Sequence, residues 1–242
     1  RDDVESRGLG DVYKRQRLLA AVLWSAVMAA VCTVILNPAT SEFDELNKKS
    51  VFVNLNITNV KDTIPKVALT FDDGPSSQYT EKLLDGLQER NIKATFFVMG
   101  ESAKNNPGII RRMHNEGHLI GNHTYSHADL AKLEFDAACR EINDTNECIS
   151  EITGYSPKFI RPPYGDWDKR LLKETDMSVV LWSVDPEDWK DQNAELVAAR
   201  VLKGIESGDI ILLHDIFKTS VEAAFKIIDI LQELSLIHIS EP

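Results

Sequence analysis

Lys66-Val67-Ala68-Leu69-Thr70-Phe71-Asp72-Asp73-Gly74-Pro75 is the stretch that decides the fold. An apolar run ends in two adjacent carboxylates, and the Gly-Pro pair behind them forces a turn. Bounded apolar runs of this length read as buried strands. Two neighbouring acids at the mouth of such a strand repel each other and lose hydration, so something cationic has to compensate them. A plain capped turn, with Asp73 or Ser76 at the start of the next helix, accounts for the same residues. The rest of the chain decides between turn and site.

Downstream, strands and helices alternate. The spacing predicts strand 66–71, helix 79–90, strand 92–99 and a helix opening at Asn106-Pro107, with Asn as cap and Pro at the first helical position. A short run 118–121 precedes Asn122-His123, and a long helix over 133–153 closes at Gly154. Strand 158–160, helix 167–175, strand 178–184, helix 194–206, strand 210–213 and helix 220–234 follow. This alternation implies an α/β fold with a parallel sheet covered by helices, either open or closed as a barrel.

Polar clusters stand after five of these strands: Asp72-Asp73, His123-Thr124-Tyr125-Ser126-His127, Arg161-Pro162-Pro163-Tyr164-Gly165, Asp185-Pro186-Glu187-Asp188-Trp189 and His214-Asp215. The C-terminal ends of parallel strands face one rim, so these clusters should converge there. His123 and His127 are spaced i, i+4, which one helical turn would place on the same side. With a carboxylate they make a two-His-one-Asp metal site that leaves a position open for water. One of the two aspartates then binds metal and the other acts as general base. Arg161 suits that base, because a fixed guanidinium holds a carboxylate bidentately and favours its charge. His214, tethered behind Ile210-Ile211-Leu212-Leu213, can serve as general acid. His114 reads as solvated and His118 as structural.

Thr70-Phe71-Asp72-Asp73-Gly74, His123-Thr124-x-x-His127, Arg161-x-Pro163-Tyr164-Gly165, Asp185-x-x-Asp188-Trp189 and Leu212-x-His214 together resemble the five ordered motifs of the polysaccharide deacetylases, carbohydrate esterase family four. The resemblance covers roughly residues 64–234. It implies a distorted (β/α) barrel of about seven parallel strands, with the final strand missing or replaced by the C-terminal tail. It also implies that Asp72 is the base and that Asp73, His123 and His127 hold one divalent metal, zinc before cobalt, nickel or manganese. Arg161 would position Asp72, and the Tyr164 N–H would help bind the oxyanion. Asp188 would orient His214, the acid, while Trp189 and Leu212 would line the acetyl pocket. The implied reaction removes N-acetyl groups from N-acetylglucosamine units of a cell-wall polysaccharide, with peptidoglycan favoured. A chitooligosaccharide deacetylase, an acetylxylan esterase and an inactive wall-binding or sporulation protein are the alternatives.

Residues 18–36 carry no charge and follow Lys14, Arg15 and Arg17. Nineteen residues can span a bilayer, and the cations place the bulk of the chain outside. A signal anchor is favoured over a cleaved signal peptide, so the expected location is the cell membrane with an extracytoplasmic catalytic domain, secreted if the anchor is cut. Residues 1–17 form the cytoplasmic end, in which Asp11–Gln16 resembles translated adapter read-through, as does the tail 235–242. Residues 37–64 are a polar linker with an edge strand near Val51–Ile57, and 65–234 form the catalytic domain. The net charge of −11 excludes a nucleic-acid track. Of three cysteines, Cys139 and Cys148 are nine apart on one helix, too far to bridge. The expected partners are a polysaccharide and the membrane, and the protein is expected to be a monomer.

Overall fold

The computed structural model describes residues 66–234. The expected anchor over 18–36, the expected linker strand near 51–57 and the tail 235–242 lie outside the described residues. Among the described residues no helix is long and apolar enough to cross a membrane.

Six parallel strands form one curled half-barrel sheet in the order β5-β4-β3-β2-β1-β6. These are β1 (Ala68–Asp72), β2 (Thr95–Val98), β3 (Leu119–Asn122), β4 (Phe159–Ile160), β5 (Ser178–Val179) and β6 (Ile210–His214). The helices are α1 (Thr80–Glu89), α2 (Gly100–Asn105), α3 (Pro107–Asn115), α4 (Phe135–Thr153), α5 (Leu171–Thr175), α6 (Ala194–Leu202) and α7 (Lys218–Glu233). Strand β1 is central. It pairs with β2 through Phe71 and Phe96, and with β6 so that Asp72 lies beside His214. Register alone therefore brings the first and last clusters together.

The long strand predicted over 178–184 is instead split. Its start pairs with β4, and Val180 N–H still donates to Ile160 O. Its end reaches the opposite edge of the sheet, where Val184 bridges Ile211 and Leu212 N–H donates to Val184 O. Between them the carbonyls of Val180 and Leu181 accept from the Arg161 guanidinium. A buried side chain thus takes the acceptors that a continuous ladder would use. Six strands, not about seven, are assigned to the sheet among the described residues.

Other departures are local. Helix α2 was not expected. Asn106 makes no side-chain cap for α3; its amide nitrogen donates to Ser102 O at 2.9 Å, while Pro107 opens α3 as predicted. The helices predicted over 167–175 and 194–206 shorten to α5 and α6. Gly154 closes α4 in the left-handed region at φ 73°.

The main core packs Leu69, Phe71, Phe96 and Val98 of the sheet against Leu83, Leu84 and Leu87 of α1 and Ile227, Ile228 and Leu231 of α7. A smaller core joins Ile142 of α4 to Ile160, Leu171 and Val179. Burying side chains of this size supplies about 1.5–3 kcal/mol each. The rigid sheet this creates carries the polar clusters on its C-terminal rim.

Candidate metal centre and catalytic rim

Asp72 is the last residue of β1 and is 3% exposed. Asp73 follows at φ 73°, in the left-handed region. That reversal sends the two side chains to different partners. Gly74 is required by close approach: a Cβ there would lie 2.2 Å from Asp215 Oδ1.

Asp72 Oδ1 accepts from Arg161 Nη1 at 2.8 Å. The contact uses one nitrogen of the guanidinium, so the expected bidentate pairing is not formed. The other donors are spent on the fold: Nη1 also reaches Thr70 Oγ1 at 2.7 Å, Nε reaches Val180 O and Nη2 reaches Leu181 O, both at 3.1 Å. Arg161 is fully buried, and its guanidinium carbon stands 4.2 Å from the Phe97 ring centroid. Burial lowers its pKa from the ordinary value, and the charge of Asp72 opposes that shift.

Asp73 Oδ1 lies 3.3 Å from His123 Nε2 and 3.3 Å from His127 Nε2. The three donor atoms all lie within 4.8 Å of one another. Burial pushes the Asp73 carboxyl up, but the surrounding histidines His123, His214 and His127 outweigh burial and hold it below its ordinary value. His127 is lowered from 6.5, chiefly by burial, with Asp73 opposing. His123 Nδ1 sits 2.6 Å from Arg161 O. A carbonyl only accepts, so Nδ1 carries the proton and Nε2 presents its lone pair. Asp73 Oδ1 is buried with no hydrogen-bond donor assigned to it. A bare carboxylate oxygen, converging with two imidazole nitrogens, suits a divalent cation in donor type and geometry.

The two histidines are not on a helix. Residues 123–127 form a loop in which Thr124 has φ 65° and His127 φ 60°. The rings come together edge to face, with centroids 5.1 Å apart, because the loop is bent back. The i, i+4 spacing thus pointed to the right pair for a different geometric reason.

His214 ends β6. Its Nδ1 lies 2.7 Å from Asp188 Oδ1, and its backbone N–H donates to Asp188 Oδ2 at 2.8 Å. Asp188 is 1% exposed. Burial alone would lower His214, but the Asp188 hydrogen bond and charge, helped by Asp73 and Asp72, push it up to about 9. Asp185 accepts from Glu187 N–H at 2.8 Å and so shapes the turn that delivers Asp188.

Tyr164 stands in a short 3-10 turn, Pro163–Gly165, at φ 61°. Its ring is 70% exposed and meets His127 edge on, with centroids 5.1 Å apart. Trp189 is exposed beside Asp188. Leu212 is buried two residues before His214, on the same side of β6. His118 is structural as predicted: Nδ1 accepts from Ala94 N–H, and burial lowers it to about 4. His114 is exposed, stacked on Tyr155. Cys139 and Cys148 are free.

Several contributors carried no assigned role in the sequence. Thr70 Oγ1 accepts from Arg161 and donates to Ile211 O at 2.7 Å. Asp215 is fully buried beneath Gly74, accepts from Thr80 Oγ1 and is pushed up to about 7 by burial. Its position next to His214 was the only signal for it.

With this geometry in place, comparison with known proteins is decisive. The sequence profile described as polysaccharide deacetylase matches residues 59–180. The chain belongs to the polysaccharide deacetylase family. It is 47% identical over 170 residues to a peptidoglycan-N-acetylglucosamine deacetylase of Bacillus cereus, covering 67% of this chain and 62% of that one. It is 41% identical over 155 residues to a chitooligosaccharide deacetylase of Sinorhizobium fredii, covering 62% and 72%. The solved structure of the peptidoglycan deacetylase PdaC from Bacillus subtilis superposes with a TM-score of 0.70 at 43% identity, over 72% of this chain and 87% of that one. The match thus spans less than two thirds of the Bacillus cereus protein.

Proposed function

We propose that this polysaccharide deacetylase removes N-acetyl groups from the N-acetylglucosamine units of peptidoglycan, releasing acetate. One observation carries the reading: the Asp73–His123–His127 triad shares a rim with a second carboxylate, Asp72, and with His214, whose Nδ1 is held by Asp188. The similarity to a peptidoglycan-N-acetylglucosamine deacetylase supports the choice of substrate.

Asp73, His123 and His127 would hold the cation, with zinc favoured. When bound, it supplies Lewis-acid polarisation of a carbonyl and acidification of a water. Asp72, paired with Arg161, accepts a proton from the attacking water. The water oxygen bonds to the acetyl carbon while the Tyr164 N–H faces the negative charge that develops on the carbonyl oxygen. His214 gives its proton to the amide nitrogen as the carbon–nitrogen bond breaks, so acetate and a free amine leave. Asp188 accepts from His214 Nδ1–H, which leaves Nε2 as the nitrogen that carries and gives up the second proton. Trp189 and Leu212 flank the methyl group. Arg161 keeps Asp72 aimed at the water.

The uncharged segment 18–36 behind basic residues supports attachment to the cell membrane, with the catalytic domain outside and acting as a monomer. The test is acetate release from peptidoglycan, chitin oligomers and acetylxylan, with and without chelator. Chelator-sensitive release, fastest from peptidoglycan, is expected. Faster release from chitin oligomers or acetylxylan would move the substrate, and no release from any of them would defeat the enzyme reading.

A further inference from the structure

Loop 123–127 holds an unusual backbone. Thr124 is β-branched and sits at φ 65°, and His127 sits at φ 60°. Such conformations persist only where surrounding contacts over-determine them. Here they do. Thr124 N–H donates to Asn122 Oδ1 at 2.7 Å, and the carbonyls of Thr124 and Tyr125 accept from the N–H groups of Gly100 and Glu101, both at 3.0 Å. The N–H groups of Tyr125 and Ser126 go to Glu141 Oε2 at 2.9 and 2.8 Å, and Ser126 Oγ donates to Glu141 Oε1 at 2.8 Å. Glu141 belongs to α4, and it forms no ion pair among the described residues. Asn122 leans on the same helix, with its amide nitrogen 2.8 Å from Ile142 O and 2.9 Å from Asn146 Oδ1.

We infer that Glu141 is a positioning residue for the metal centre, its carboxylate clamping Tyr125 and Ser126 so that His123 and His127 are held at ligating distance. This rests on the reading of Asp73, His123 and His127 as metal ligands. Both carboxylate oxygens grip the segment between the two histidines, so reach governs the clamp more than charge. One methylene less withdraws the group from the loop. A glutamine keeps the reach: its carbonyl oxygen can accept both N–H bonds, and its amide can face Ser126 Oγ.

The test measures zinc dissociation constants by competition with a chromophoric chelator on the full-length chain, together with the visible spectrum of the cobalt-loaded protein. Glu141→Asp should bind zinc about 10–100-fold more weakly and change the cobalt spectrum. Glu141→Gln should stay close to the parent in both, and all three proteins should melt alike in the presence of chelator. Ser126→Ala, which leaves α4 intact, should lose zinc affinity by a smaller factor and decides the matter if Glu141→Asp does not fold. Parent-like affinity and spectrum in Glu141→Asp, or in Ser126→Ala if that variant has to decide, would overturn the proposal. So would a loss in Glu141→Gln as large as in Glu141→Asp, which would make charge the cause. A parent chain that binds no zinc would remove the metal reading itself, a result distinct from an unchanged variant.

Discussion

The carbonyl oxygen of Arg161 lies 2.6 Å from His123 Nδ1, while the guanidinium of the same residue lies 2.8 Å from Asp72 Oδ1. One residue at the end of β4 therefore fixes the tautomer of one candidate metal ligand through its backbone and the candidate base through its side chain. Buried histidine ligands commonly donate their second nitrogen in this way. The metal centre and the base are coupled through a single rigid position.

Arg161→Met should expose this coupling. It leaves Asp72 as a buried carboxylate without its cation and frees the carbonyls of Val180 and Leu181. Breaking a buried pair from one side costs about 3–5 kcal/mol. Chemical denaturation should show a loss of that order, and a change below about 1 kcal/mol, the scale of a surface pair, would contradict the assignment.

His214 should titrate late. In the metal-free protein its pKa is pushed up to about 9, so the imidazolium persists at neutral pH. A raised pKa contributes stability that is complete below the unfolded value near 6.5 and fades as pH rises towards 9. In Asp188→Asn the acceptor remains but its charge is gone, leaving burial to dominate. Imidazole NMR should then show His214 titrating at or below 6.5, and the alkaline limb of kcat should move to lower pH. An unchanged titration would show that Asp188 does not set it.

Asp215 reverses that sign. Burial raises its carboxyl from 3.8 to about 7, so the folded state holds the proton longer than the unfolded chain does. This group should cost stability as pH rises through that window. Asp215→Asn can still accept from Thr80 Oγ1 and carries no charge. Its stability relative to the parent should therefore grow between pH 4 and 7. A difference that stays constant across that range would count against a buried, proton-holding Asp215.

Strand ends and their clusters were legible because short apolar runs punctuated by Asp-Gly-Pro, Arg-Pro-Pro or His signal both a buried strand and its stop. Contacts at the strand ends link Asp72 to Arg161, Asp73 to His123 and His127, His127 to Tyr164, and His214 to Asp188. What escaped was the support beneath it. Glu141 and Asn122 act across 15 to 24 residues of chain, through backbone groups that no motif marks. The break in strand 178–184 depends on Arg161 claiming two carbonyls, which no local propensity encodes. The histidine pair was found through its helical spacing, yet it is the left-handed turns at Thr124 and His127 that join the rings.

The central claim is the division of labour between adjacent carboxylates, Asp73 toward the metal and Asp72 toward the water. Zinc content and turnover of Asp72→Asn and Asp73→Asn, measured side by side on the purified chain, test it most directly. Asp72→Asn should keep one equivalent of zinc and lose about 10²–10⁴-fold in turnover, while Asp73→Asn should lose the zinc. Loss of zinc from Asp72→Asn, with zinc retained in Asp73→Asn, would contradict the account.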